Sequence, residues 1–518
     1  MFSLAEKVGQ MLLVGFPGLE APAYVREWLA EGRIGGVVLF ARNVSSPSQL
    51  AELTESLRQA APTPVLIAID QEGGVVARLR EGFTESPGAM ALGAADSEAL
   101  AEAVAAALAT ELRALGINWN LAPVVDIGHD SSNPVIGTRT LGTDARRVSR
   151  LAVAQVRGFQ KAGVAACAKH FPGHGNTPTD SHVALPIVRG SLDFLWEHDL
   201  VPFRAAVEAG VATVMLGHVK FEALDAVYPA TLSPALATGL LREDVGFTGL
   251  AVTDCMEMKA IADNYGAGES AVLAALAGAD AMFFSHTRAR QEEVYAALLE
   301  AAGSGRLPPA RIDQAVGRIM ALKERFAVTG PPRLDLIRHP DHLAVCQQAA
   351  RAGTVLVRAS GAVFPLPADG SRSVALVEFS SPLESAAMDQ VGQTGLGTVL
   401  RQRAADIQHL VLSPTAPEAS ALARARQLAK DADVLIVATR SAHLIPRQRE
   451  TAQELLGLAR RVILLCLRNP YDVEVLTGAE AVVCTCGDGQ PSLEAAVDAL
   501  LGRFTPMGQL PVPVKLAG

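Results

Sequence analysis

Positive charge is nowhere gathered in this sequence. Lys and Arg are scattered among an excess of acidic residues, for a net charge of −9, so nothing offers the basic stripe that phosphate backbones attract. Nucleic acid is not an expected partner. No run reaches 18 uninterrupted apolar residues, which argues against a membrane-spanning helix. At the start, Glu6 and Lys7 precede an apolar stretch shorter than a signal-peptide core, so no secretion signal is expected. Cysteine is sparse as well. Cys167, Cys255, Cys346, Cys466, Cys484 and Cys486 lack the density of a disulfide scaffold, and the expected compartment is a reducing cytoplasm. The C-x-C pair lies in the apolar run AVVCTCG with no second pair to complete a zinc site, and reads as two small buried hydrophobes. Neither GxGxxG nor GxxxxGK[ST] follows any strand-like run, so no dinucleotide or nucleotide triphosphate site is indicated. With 49% hydrophobic and 19% charged residues in 518, the chain is globular and long enough for more than one core.

What the sequence does contain is rhythm. Eight short apolar runs recur through the first 285 residues: QMLLVGF (10–16), IGGVVLF (34–40), VLIAID (65–70), INWNLA (117–122), ACAKHF (166–171), VATVMLGH (211–218), GLAVTD (249–254) and ADAMFF (279–284). Helix-patterned stretches separate them, as at 49–60, 98–115 and 145–163. Eight strands alternating with helices predict an α/β fold of the (β/α)8 TIM type. Asp70, His170, His218 and Asp254 cluster where four of these runs end, and a barrel places its catalytic groups at the C-terminal ends of its strands. A helix over about 309–327 ends this domain (1–328), and the proline-rich segment 329–344 reads as a linker. The βα rhythm then resumes over 345–518 with TVLVR, SVALVEF, HLVLS, DVLIVATR, RVILLCLR and AVVCTC. These predict a smaller α/β sandwich domain on a mostly parallel sheet, with helices on both faces.

Reactive side chains concentrate in Lys169-His170-Phe171-Pro172-Gly173-His174-Gly175-Asn176-Thr177-Pro178-Thr179-Asp180-Ser181-His182. Two glycines and two prolines make its later part a shaped loop at the catalytic face. Asp180 stands two residues from His182, so its carboxylate can hold one imidazole nitrogen while the other faces substrate. A carboxylate neighbour favours imidazolium, which suits a general acid near neutral pH. His170, His174, Asp180 and His182 also form a conceivable metal set, but the spacing matches neither H-E-x-x-H nor a cysteine site; no metal or cofactor is expected. Asp254 ends the seventh run with Glu257 three residues on. There it serves either as a carboxylate aimed at an anomeric carbon or as the N-cap of the next helix. Asp70, Arg78 and Arg139 supply polar groups of the kind sugar hydroxyls require when taken out of water.

These motifs identify a resemblance. IDQEGGVVARL (69–79), IGTRTLG (136–142), AKHFPGHG with the later DSH (168–175 and 180–182) and LLREDVGFTGLAVTD (240–254) resemble glycoside hydrolase family 3, in particular its bacterial β-N-acetylglucosaminidases of the peptidoglycan-recycling type. The resemblance implies a retaining exo-β-N-acetylglucosaminidase acting by double displacement without a cofactor. Asp254 would be the nucleophile, His182 the acid/base and Asp180 its dyad partner; Asp70, Arg78, Arg139, Lys169 and His170 would bind the terminal sugar of a glycan fragment. A likeness to the family's C-terminal domain extends more weakly over 345–518. The chain departs from the family pattern at Asn176, where Asp is usual, at Val75, where Arg is common, and at Cys-Met-Glu-Met after Asp254. Rival readings are a β-glucosidase or β-xylosidase on the same fold, a phosphorylase, a metal-dependent barrel hydrolase, and a binding protein without turnover.

Overall fold

The structure, a computed structural model, describes residues 2–177, 185–360, 363–367, 372–382, 385, 388, 395–403 and 407–516. Eight strands form one parallel sheet: β1 (Leu12–Val14), β2 (Gly36–Leu39), β3 (Leu66–Ile69), β4 (Trp119–Asn120), β5 (Cys167–Phe171), β6 (Thr213–Leu216), β7 (Leu250–Cys255) and β8 (Ala281–Phe284). Their order is β4-β3-β2-β1-β8-β7-β6-β5. The remaining seam, β4 to β5, is bridged in parallel at Trp119–Ala165 and Val124–Lys169, so the sheet closes nearly completely into a (β/α)8 barrel. The strands are continuous apolar runs because both faces are covered, by the barrel interior on one side and helices on the other. All eight sequence-predicted runs supply barrel strands.

The helices carry clear start signals. Helix α1 (Leu4–Gln10) begins at a capping box between Ser3 and Glu6. In α2 (Pro47–Ala60), Ser46 accepts from Gln49 N–H and Pro47 occupies the first turn. After the short α3 (Ala89–Ala95), helices α4 (Glu98–Ala114) and α5 (Ala145–Lys161) are capped by Ser97 and Asp144. Helix α6 (Pro309–Arg325) completes the barrel wall. The segment 329–344 is irregular only in its first part. Pro340 fits the first turn of a helix, where a missing N–H costs nothing, and α7 (Pro340–Ala352) therefore takes in the last five residues of the expected linker.

The second sheet comprises β9 (Val355–Arg358), β10 (Val374–Phe379), β11 (Gln408–Leu412), β12 (Val434–Thr439), β13 (Val462–Cys466) and β14 (Ala481–Cys484), in the order β9-β14-β13-β12-β10-β11. Only β9 runs antiparallel, against β14. Along β12 the side chains alternate between two cores: Leu435 and Val437 join one cluster, Val434, Ile436 and Ala438 the other. That is the pattern of a sheet covered on both faces. All six cysteines are free thiols, and Cys466 pairs in register with Cys484 inside this sheet. The two domains share core as well as surface. Met90, Ala91 and Ala94 of α3 belong to the apolar cluster beneath the second sheet, and Gln509 N–H donates to the Ala94 carbonyl at 2.9 Å.

Candidate active site

A cavity of about 390 Å³ opens at the C-terminal ends of the barrel strands. Val38, Leu121, Met215 and Phe283 give it an apolar floor, and Asp70, Glu72, Arg78, Arg139, Lys169, His170 and Asp254 its polar wall. Two local irregularities aim these groups. The pairing of β5 with β6 slips between Ala168 and Phe171, and that of β7 with β8 between Val252 and Cys255. Such bulges re-aim side chains near active sites; Lys169 and His170 lie in one, Asp254 in the other.

The wall is a charged lattice. Lys169 Nζ lies 2.7 Å from both Asp70 Oδ1 and Glu72 Oε1. Arg139 donates to both Glu72 oxygens, from Nε at 2.9 Å and from a terminal nitrogen at 2.8 Å, a bidentate geometry that also fixes the plane of the guanidinium. Arg78 donates to Asp70 Oδ2 at 3.2 Å. Burial alone would push the Glu72 carboxyl up, but Arg139 and Lys169 outweigh it and hold its pKa down at about 2. Burial likewise works against the Lys169 ammonium and is overcome by Asp70 and Glu72, which leave it above the usual lysine range. Asp70 is held below the usual carboxylate range, burial being offset by Lys169 and Arg78. These groups are therefore ionised and mutually oriented before any ligand arrives. They can each satisfy a sugar hydroxyl without reorganising, while the apolar floor accepts a ring face.

His170 is held from behind. Its Nδ1 lies 2.7 Å from Asp126 Oδ2 and its Nε2 3.4 Å from a terminal nitrogen of Arg139. Asp126 also accepts from His174 N–H at 2.7 Å, and His170 and His174 keep its carboxyl low against its burial. Burial and neighbouring His170 push the His174 imidazole down to about 4, so it is neutral near pH 7, with Nδ1 2.7 Å from Thr177 Oγ1. Among the described residues no three His, Cys, Asp or Glu side chains are grouped as metal ligands.

Asp254 is inside β7 and accepts from Cys255 N–H at 2.6 Å. It does not cap the next helix, Lys259–Ala262, which has Met258 at its N-cap. His218 steadies the same strand end, with Nε2 2.9 Å from the Cys255 carbonyl and Nδ1 2.7 Å from Thr231 Oγ1. Glu257 turns away and accepts from His286 and Thr287 N–H at 2.6 and 3.0 Å.

The cavity thus gathers Asp70, Arg78, Arg139, Lys169, His170 and Asp254. Asp180 and His182 lie outside the described residues. Sequence reasoning passed over Glu72 and Asp126. Glu72 stands in the same IDQEGG stretch as Asp70, and Asp126 ends the apolar stretch APVVD, but only their partners give them meaning. Of the departures from the family pattern, Asn176 is exposed, whereas Val75 is buried with Val76 and Met388 of the second domain, in a contact suited to an apolar side chain.

Comparison with known proteins agrees with this architecture. The glycosyl hydrolase family 3 N-terminal domain matches residues 3–322 and the family's C-terminal domain residues 354–517. A β-hexosaminidase of Stenotrophomonas maltophilia (strain R551-3) is 41% identical over 293 residues, 55% of this chain and 86% of its own. Beta-hexosaminidase A of Pseudoalteromonas piscicida is 34% identical over 375 residues, 67% of this chain and 62% of its own. The structure of a family 3 β-N-acetylglucosaminidase from Paenibacillus sp. str. FPU-7 superposes with a TM-score of 0.94 at 37% identity, covering 100% of both chains. With its barrel, its second α/β domain and both family patterns in place, this chain belongs to glycosyl hydrolase family 3.

Proposed function

We propose that the protein removes non-reducing terminal β-linked N-acetylglucosamine from glycan fragments, with retention of configuration. The observation that carries the reading is Asp254, set in a bulge of β7 and facing the cavity walled by Asp70, Arg78, Arg139, Lys169 and His170. The names of the Stenotrophomonas and Paenibacillus relatives support the substrate class. In the first step a carboxylate oxygen of Asp254 attacks the anomeric carbon. The bond to the leaving oxygen breaks, and His182, oriented by Asp180, gives that oxygen a proton. In the second step His182 takes a proton from water as the water oxygen attacks the same carbon and frees Asp254. The charged wall binds the sugar hydroxyls throughout, and no cofactor enters.

The division of labour follows the domains, with catalysis in 1–328, a connection at 329–344 and the second domain at 345–518. We place the enzyme in the cytoplasm, acting on peptidoglycan-recycling fragments. Six free thiols favour a reducing compartment, and no helix among the described residues is long and apolar enough to cross a membrane. Asp254→Ala is expected to abolish release of the chromophore from 4-nitrophenyl N-acetyl-β-glucosaminide, and unchanged turnover would refute the assignment. Proton NMR of the first product separates retention from inversion, and parallel assays on chitobiose and an N-acetylglucosaminyl-anhydromuramyl fragment rank the natural aglycones.

A further inference from the structure

The second domain reaches the catalytic face of the barrel at a point the reaction above does not use. His443 follows β12, and its Nδ1 lies 2.9 Å from Asp472 Oδ1. The His443 backbone N–H donates to the same oxygen at 3.0 Å, while the other Asp472 oxygen accepts from Thr439 at 2.7 Å. Asp472 is fully buried, so ring and carboxylate form one fixed unit. The far nitrogen, Nε2, points out of the domain and lies 3.2 Å from the backbone carbonyl oxygen of Ser131 in the barrel.

Ser131 opens a turn that is itself tightly tied. Asp130 accepts from Ser132 N–H and hydroxyl at 2.8 and 2.6 Å, and Asn133 Oδ1 accepts from Val135 and Ile136 N–H, both at 2.9 Å. The Asn133 amide then donates to the His174 and Gly175 carbonyls at 3.0 and 3.3 Å and to Thr177 Oγ1 at 3.3 Å. Thr177 stands three residues before Asp180 in the sequence. On its other side the turn receives Arg139, which donates to the Val135 carbonyl at 3.1 Å. A single hydrogen-bonded turn therefore connects His443 with Thr177, the last described residue before Asp180 and His182 in the sequence.

We propose that His443, oriented by Asp472, is a positioning residue for catalysis: it pins the 130–136 turn and, through Asn133, fixes the 174–177 backbone that precedes Asp180 and His182 in the chain. This rests on the reading of His182 as proton carrier. It also gives the second domain a part in the reaction without contact to the sugar. Proton delivery to the leaving oxygen matters most when the leaving group is poor, so a misplaced proton carrier is felt in the first step, reported by kcat/KM, on an alkoxide leaving group and little on nitrophenolate.

The test is kcat and KM for wild type, His443→Ala, His443→Asn, His443→Gln and His182→Ala on chitobiose and on 4-nitrophenyl N-acetyl-β-glucosaminide, with thermal midpoints alongside. His443→Asn keeps a donor toward Asp472 but cannot span to Ser131, and serves should the alanine variant fail to fold. Loss of the Ser131 contact is expected to lower kcat/KM on chitobiose about tenfold, equivalent to about 1.4 kcal/mol. The nitrophenyl substrate should lose less than about twofold in kcat/KM. His443→Gln, whose amide N–H reaches toward Ser131, should recover most of the loss. Equal losses on both substrates that track a lowered midpoint would reduce His443 to a structural tie, and no loss would remove the coupling; either overturns the proposal. If His182→Ala itself shows no leaving-group dependence, the proton-carrier assignment has failed and the proposal falls with it. If His182→Ala shows that dependence and the His443 variants do not, only the proposal fails.

Discussion

Lys323 gives the sharpest quantitative expectation. It lies on α6, 2% exposed, with Nζ donating to Gln10 Oε1 at 2.6 Å. Gln10 ends α1 just before β1, which places the pair at the N-terminal face of the barrel, away from the cavity. Burial pushes the ammonium from 10.5 down to about 7. The unfolded chain therefore binds the proton more tightly than the folded one between those two values, and stability rises with pH across that window. At pH 6 both states are protonated and the folded state carries a penalty of about 5 kcal/mol, at about 1.4 kcal/mol per pH unit. At pH 9 the folded lysine is neutral, and the remaining penalty is that of deprotonating an ordinary lysine, about 2 kcal/mol. Lys323→Met removes both penalties. It also orphans the Gln10 oxygen, at a cost of about 1–3 kcal/mol that is the same at either pH. The pH dependence thus isolates the ionisation. Urea unfolding should show the variant gaining about 3 kcal/mol more, relative to wild type, at pH 6 than at pH 9, while kcat stays unchanged because bottom-face residues of a barrel serve stability. An identical difference at both pH values would refute the idea that a proton is the cause.

Two further expectations concern the cavity. Glu72→Gln keeps the shape of the side chain but removes the bidentate carboxylate of Arg139 and one of the two carboxylates on Lys169, and breaking buried pairs costs about 3–5 kcal/mol. KM should rise at least tenfold, an order-of-magnitude expectation for a displaced binding lattice. Because the Glu72 pKa is lowered to about 2 from 4.5, its contribution is complete above pH 4.5 and lost as pH falls toward 2, so the stability gap between wild type and variant should close over that acid range in denaturation curves. Gly175→Ala would place a Cβ 1.6 Å from the Ile127 carbonyl oxygen. The 174–177 backbone has to move by an ångström or more, and kcat on chitobiose should fall roughly tenfold to a hundredfold; a near wild-type rate would show that this stretch is not held as described.

The sequence by itself determined the barrel. A β-strand buried on both faces must be apolar throughout, and an amphipathic helix must repeat every 3.6 residues, so the eight runs and their intervening helices announce their architecture locally. It also marked which side chains end those strands, and Asp70, His170 and Asp254 need no partner to be noticed there. Local signals were weaker where two rules compete. The prolines of 329–344 read as breakers, yet Pro340 starts a helix because proline is as suited to a first turn as to a loop. Tertiary structure alone decided the rest. Glu72 and Asp126 matter through Arg139, Lys169 and His170, which come from other strands and loops, and no periodicity encodes a partner 67 or 44 positions away. The contact of His443 with Ser131 spans 312 positions and two domains. Sequence spacing governs which face of a strand or helix a residue occupies; only the packing of whole elements against one another sets which charges meet, and it is those meetings that hold ionised groups in place around the cavity.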